Sequence, residues 1–228
     1  MIKLYEVGGT VRDKFMGIPN KDNDFAVECD SFAEMRYYIL SHGGSIYQER
    51  PQFGTIRGQY PGLGDADFTM CRKDGFYSDG RHPDSVMPGS ILDDLARRDF
   101  TMNAIAKDLD TGEFIDPYDG RGDIEYGIIK CVGNTADRMN EDALRILRAM
   151  RFSITKNMRL HIDILDFLNP MYQPEYLLAN VSRERIYEEM RKMFAASTIR
   201  SWQMMSRFPH IFMFCFDKMG IYLAPGLV

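Results

Sequence analysis

Apolar residues in the first part of the chain fall into short runs broken by glycine, proline and aspartate. After Asn140 they recur every three to four positions. The first pattern belongs to strands and short helices of a mixed domain, the second to amphipathic helices packed on one another. Residues 2–7 form an apolar-rich stretch that stops at Gly8-Gly9, and a helix is expected over residues 11–16, ended by Gly17-Ile18-Pro19. Asp24-Phe25-Ala26-Val27 reads as a strand, and residues 31–42 as a helix started by a Ser31 cap. Two more strands are expected at residues 54–60 and 66–71, around the turn Pro61-Gly62-Leu63-Gly64. Residues 73–89, rich in Gly, Asp and Pro, read as a long loop, of the kind that often carries function. A helix follows over residues 91–97, then an apolar stretch to Ala106 and a turn at residues 116–120. Beyond Asn140, Leu144, Leu147, Met150 and Ile154 make one helical stripe, and Ile186, Met190 and Phe194 another behind Ser182. Ser182 gives only half a capping box, because Arg185 stands where glutamate would complete it. The expected architecture is an α/β head over residues 1–130, with a mixed sheet and helices, followed by an all-helical domain over residues 131–228.

Composition adds limits. The 228 residues are 45% hydrophobic and 27% charged, enough for a sizeable core. No apolar run approaches the roughly 18 residues of a membrane span, so no membrane association is expected, and the N-terminus does not read as a signal peptide. Cys29, Cys71, Cys131 and Cys215 stand apart, with no CxxC pair, which fits reduced thiols in a cytoplasmic protein rather than a zinc site. The net charge of −5 argues by itself against a nucleic-acid binder, but its distribution is uneven. Residues 145–228 hold 12 basic against 7 acidic side chains, and residues 1–144 hold 16 against 26. An acidic front and a basic back suit an enzyme that holds metal ions and a polyanion, although uneven surface charge without function gives the same count.

Several short motifs carry possible chemistry. Gly8-Gly9 before a helix lets backbone N–H groups approach a phosphate, with Arg12 one turn further on, although such a pair is often only a turn. Asp22-Asn23-Asp24 heads a strand, where positions i and i+2 share a side. Two convergent carboxylates repel unless a cation joins them, and Mg²⁺ suits oxygen ligands shared with substrate phosphates. The plainer alternative is a solvated turn. Asp67 on a later strand offers a third carboxylate, or is simply an exposed strand residue. Asp142 and Arg145, at i and i+3, are expected to be neighbours on one helix. A carboxylate beside a guanidinium matches the amine and ring nitrogen shared by cytosine and adenine, and mismatches guanine and uracil. Spacing alone favours a surface ion pair. Arg148 and Arg151 continue the stripe, as phosphate contacts or as solvated arginines.

In order along the chain stand GGTVRDxxxG, DND at the head of a strand, RHPD, LARRDFTMNAIA, IDPYDG and EDALRILRAMRF. Over roughly residues 1–200 this set resembles the class II tRNA nucleotidyltransferases, the group of bacterial CCA-adding enzymes and poly(A) polymerases. The resemblance implies template-independent addition of CCA to the tRNA 3′ end from CTP and ATP. Asp22 and Asp24 would hold two Mg²⁺ ions. Gly8, Gly9 and Arg12 would hold the nucleoside triphosphate, Arg98 and Asp99 would contact its ribose or phosphates, and Asn103 would lie near the sugar. Asp142 and Arg145 would select the base. Without the resemblance, Arg97-Arg98-Asp99 reads as a salt-bridge cluster at a helix end.

Typical members run well beyond this length, with helical body and tail domains that grip the tRNA. The sequence ends at Val228, which leaves tRNA anchoring open and makes a homo-oligomer one expected remedy. The apolar segment 208–214 is expected to be core, with a partner surface as the alternative. Poly(A) polymerase and A-adding or CC-adding activities are the neighbouring readings. The loop 73–89 is of ordinary length, and CC-only members lack it, which favours full CCA addition. A DxD glycosyltransferase would not explain the Gly-Gly segment, and a binding-only descendant would not explain Asp22 and Asp24.

Overall fold

The computed structural model describes residues 2–20, 23–75, 85–218 and 220. Contacts divide them into two compact units that meet in sequence at Tyr126 and Gly127.

The first unit is built on β1 (Lys3–Val7), α1 (Gly9–Phe15), β2 (Asp24–Glu28), α2 (Phe32–Ser41), β3 (Ser45–Arg50), β4 (Thr55–Tyr60) and β5 (Gly64–Met70). It continues with β6 (Arg72–Asp74), β7 (Val86–Pro88), α3 (Ile91–Ala96), β8 (Ala106–Asp108), β9 (Phe114–Ile115) and α4 (Gly120–Glu125). Seven strands form one sheet in the order β3-β4-β5-β2-β1-β8-β9. Only β2 and β5 run parallel within it; the other neighbours are antiparallel. This is a mixed α/β head.

Strands β4 and β5 alternate buried and exposed positions, whereas the central β1 and β2 are buried along most of their length. Phe25 and Phe68 are register partners with rings stacked 5.5 Å apart, and both are fully buried. With Leu4, Val27, Ile56 and Ala66 they pack around Met35 and Ile39 of α2. Burying each such large side chain contributes about 1.5–3 kcal/mol. The helix starts where the sequence places it: Ser31 accepts from the Glu34 amide, which satisfies one of the orphan donors of the first turn. Strand β3 is polar in most positions, and its periodicity does not announce it. It exists because β4 offers it a hydrogen-bonding edge, with a bulge between Ile46 and Gln48. Both ends of the expected long loop at 73–89 lie in strands, since β6 and β7 pair as a short ladder. Residues 76–84, with Arg81-His82-Pro83-Asp84, lie outside the described residues.

The second unit contains β10 (Ile128–Ile129), α5 (Thr135–Glu141), α6 (Leu144–Thr155), β11 (Arg159–Leu160), α7 (Ile162–Phe167), α8 (Arg183–Ala196), α9 (Thr198–Arg207) and α10 (Pro209–Met213). It is mainly helical rather than all-helical, because β10 and β11 form a two-residue parallel ladder. Ile146, Leu147, Met150, Ile186, Met190 and Met193 bury the facing stripes of α6 and α8. The segment 208–214 is largely core: Phe208, Ile211, Phe212 and Phe214 are buried, and Met213 is exposed. All four cysteines are buried thiols, and among the described residues no helix is long and apolar enough to cross a membrane.

Candidate active site

The chemistry-bearing residues of the first unit converge at one end of the sheet. Strand β1 ends at Val7 and passes into Gly8, whose φ of +66° is left-handed and suits glycine. A methyl group there would sit 3.0 Å from Nη1 of Arg98, so the backbone approaches that guanidinium closely. Gly9 is under less constraint, with ordinary space for a Cβ.

Arg12 is buried and engaged within the protein. Its Nε donates to Asp13 Oδ1 at 2.8 Å and its Nη1 to Asn103 Oδ1 at 2.6 Å. Asn103 in turn donates through Nδ2 to Asp99 Oδ1 at 2.9 Å, and its carbonyl accepts from Arg98 Nη1 at 3.1 Å. A continuous network therefore runs Asp13–Arg12–Asn103–Asp99, and it ties the GGTVRD segment to RRDFTMNA across 91 positions of sequence.

Asp94 anchors this network from beneath. It is 1% exposed and accepts from Arg97 Nε at 3.0 Å and from Arg98 Nη2 at 2.8 Å. Burial pushes its carboxyl up, but Arg98 and Arg97 together outweigh burial and hold it below the usual carboxylate range. The helix-end cluster read as the plainer alternative is thus present, and it also aims Arg98 at Gly8. Nothing in the sequence patterns singled out Asp94; a buried acid one turn before two arginines is the signal that finds it. A capping box at Ser90 and Asp93 fixes the start of the same short helix.

Asp24 opens β2, half-buried, with its amide donating to Thr10 Oγ1 at 3.4 Å. Its register partner on β5 is Asp67. Because the next pair, Phe25 and Phe68, lies on the α2 face, Asp24 and Asp67 share the opposite one. Asp67 is exposed, and Nε of Arg57 lies 3.7 Å from its Oδ1. Asp22 lies outside the described residues. Asn23 donates to the carbonyls of Leu63 and Asp65 at 2.8 and 3.0 Å, and its own carbonyl accepts from the Asp67 amide at 2.9 Å. The middle residue of the DND motif therefore aligns β5 with β2, a role that the sequence did not suggest. Among the described residues no group of three metal-ligating side chains occurs. The Asp24–Asp67 pair nevertheless offers hard oxygen donors on one face, and Mg²⁺ is typically bound by one or two carboxylates together with substrate phosphates.

In the second unit the geometry around Asp142 and Arg145 differs from the expected i,i+3 pair. Asp142 is not helical: it ends α5 with extended backbone, φ −148° and ψ 101°, and α6 begins only at Leu144. Its carboxylate is held by Arg185 of α8, Nη2 to Oδ2 at 2.7 Å, and by the Leu144 amide at 3.1 Å. Arg145 is buried and donates to Glu141 Oε2 at 2.7 Å and to the Arg138 carbonyl at 2.8 Å. Helical spacing predicts contact only within one continuous helix, and the chain breaks between these two residues. Arg148 and Arg151 flank Glu189, which is 4% exposed, and Arg151 stacks 4.0 Å over the Phe152 ring.

Comparison with known proteins agrees with this geometry. The poly A polymerase head domain family matches residues 4–130, more than half of the chain. A CCA-adding enzyme of Ligilactobacillus salivarius is 37% identical over 192 residues, which cover 84% of this chain and 45% of the relative. The structure of the Bacillus stearothermophilus CCA-adding enzyme in complex with CTP superposes with a TM-score of 0.75 at 33% identity, over 90% of this chain and 47% of that one. That of the Thermotoga maritima CCA-adding enzyme complexed with tRNA-CCA gives 0.75 at 27% identity, over 98% and 50%. The chain spans about half the length of the relatives it matches. With its head motifs tied into one network and the family matching most of that unit, the chain belongs to the poly A polymerase head domain family.

Proposed function

We propose that this chain carries out template-independent addition of CCA to the 3′ end of tRNA, using CTP and ATP with Mg²⁺. The reading assigns residues 1–130 as the catalytic head and residues 131–228 as a mainly helical neck. The observation that carries it is the juxtaposition of the Gly8–Arg98 approach with the Asp24–Asp67 register pair at one end of one sheet. A triphosphate acceptor and a carboxylate pair side by side are what nucleotidyl transfer needs. A CCA-adding relative at 37% identity, and CCA-adding structures solved with CTP at 33% and with tRNA-CCA at 27% identity, support the substrate assignment.

In this reaction the RNA 3′-oxygen forms a bond to the α-phosphorus as the bond to the bridging oxygen of the β-phosphate breaks, pyrophosphate leaves and the hydroxyl proton passes to solvent. Asp24, with Asp22 and Asp67, would hold the metal, which when bound lowers the pKa of the attacking hydroxyl and neutralises the leaving group. Arg98, aimed by Asp94, would receive phosphate oxygens beside Gly8 and Gly9. Arg12 and Asn103 would hold that strand end and the Asp99 side chain in place, so their part is positioning. Asp142 would accept from the exocyclic amine of cytosine or adenine and Arg145 would donate to the ring nitrogen. Asp142 suits this role because Arg185 and the Leu144 amide fix its orientation. Leaving such polar groups unpaired against guanine or uracil costs roughly 1–3 kcal/mol each. Arg148 and Arg151 would remain near the substrate as cations restrained by Glu189.

The test is primer extension on tRNA lacking its CCA end, with each labelled nucleotide alone and together, with and without Mg²⁺. Addition of C, C and A followed by a stop is expected. A long A tail, A added only to a CC-ending tRNA, or CC without A would replace the reading by the corresponding sister activity, and no incorporation would overturn it.

A further inference from the structure

We infer that the open face of β3, β4 and β5 is the track along which the RNA 3′-terminal backbone approaches the carboxylates, with Arg50 and Arg57 on its phosphates. This rests on the nucleotidyl-transfer reading above and specifies where its second substrate lies.

Register carries a single row of side chains across four strands, Gln48–Arg57–Asp67–Asp24. One row further on, Arg50 pairs with Thr55 and Thr55 with Thr69. These residues line a groove of about 330 Å³ that reaches Asp67. The opposite face of the same strands is packed on α2, so this face is the one left for a ligand. Arg57 is 63% exposed, and Arg50 is also exposed.

Two arguments fix the occupant. First, charge: Arg50 and Arg57 line the groove with threonine, glutamine and Asp67, which lies 3.7 Å from the Arg57 Nε, so the lining keeps a net positive charge suited to phosphodiesters on a chain of net charge −5. Second, position: strand order places β5 on one side of β2 and β1 on the other. Gly8 and Arg98 lie at the β1 side of Asp24, and the groove lies at the β5 side. In an in-line displacement the attacking oxygen and the leaving pyrophosphate stand on opposite sides of the phosphorus. With the triphosphate on the β1 side, the attacking strand must come from the β5 side.

The test uses the full chain and fluorescently labelled tRNA lacking CCA, with binding followed by anisotropy over a salt series. Replacing Arg50→Ala or Arg57→Ala should reduce the slope of log K against log salt by about 0.7 each, the value for one single-strand phosphate contact. The KM for tRNA should rise about tenfold, as for a lost charged hydrogen bond, with the KM for CTP unchanged. Arg57→Lys, which keeps the charge, should restore most of the slope. Both side chains are exposed strand residues, and unchanged melting curves would show that the variants fold. An unchanged slope and KM, a rise in the KM for CTP instead, or no rescue by lysine would overturn the assignment. If the wild-type chain binds tRNA but incorporates nothing, the enzymatic reading fails while the anisotropy still decides whether this face holds RNA.

Discussion

Replacing Asp94 by Asn keeps the shape of the most buried acid among the described residues of the head and removes its charge. Two guanidiniums, Arg97 and Arg98, then lose their counter-ion while remaining 22% and 19% exposed. Breaking a fully buried pair costs about 3–5 kcal/mol, because a charge is left uncompensated. Water reaches both arginines here, so the expected loss is nearer 2–3 kcal/mol, discounted from that range. Urea unfolding of wild type and variant should show that difference as a shift in midpoint at unchanged slope. The pH dependence gives a sharper test. Asp94 is held below its unfolded pKa of about 3.9, so its stabilisation is complete above that pH and is lost as pH falls through the folded value. The gap between wild type and Asp94→Asn should therefore be constant from neutral pH down to about 4 and narrow below it. A variant as stable as wild type at pH 7, or a gap that persists undiminished well below pH 4, would refute the electrostatic account. Nucleotide affinity should fall as well, because Arg98 is no longer aimed at Gly8.

Other expectations follow from the same geometry. Gly8→Ala combines a positive φ with a methyl 3.0 Å from Arg98, and should weaken CTP and ATP binding in equilibrium dialysis by tenfold or more, equivalent to roughly 1–2 kcal/mol of strain. Asp24→Ala should abolish incorporation while the circular dichroism melt stays within a few degrees of wild type, and retained turnover would remove the metal assignment. Arg185→Gln frees the Asp142 carboxylate; misincorporation of U and G should rise in single-nucleotide assays, and unchanged selectivity would exclude Asp142 from base reading. Burial pushes the Cys29 thiol up to about 11 and that of Cys215 to about 12, and raises Cys71 further. A thiol-reactive dye at pH 8 should therefore label the native protein slowly and the urea-unfolded protein at once.

The sequence by itself determined the elements whose formation is local. Ser31 caps its helix through a neighbour three positions away, and the apolar stripes of α6 and α8 repeat at helical spacing. The sequence also placed Asp24 at the head of a strand, because the short apolar run Phe25, Ala26 and Val27 needs no distant partner to be seen. Motif order gave the family, since it depends on residue identity alone.

Tertiary structure decided what distant segments do to one another. Strand β3 exists because β4 offers it an edge, and no pattern of its own residues says so. Arg12 meets Asn103 across 91 residues, and Asp142 finds Arg185 across 43. Spacing assigned Asp142 to Arg145 instead, because it assumes an unbroken helix, and the chain turns between them. Asp94 and Asn23 were invisible for the same reason: each acts on groups whose proximity is created by the fold. Hydrogen-bond partners and ion pairs depend on distances of about 3 Å, and a sequence fixes such distances only within a turn of helix or along one strand.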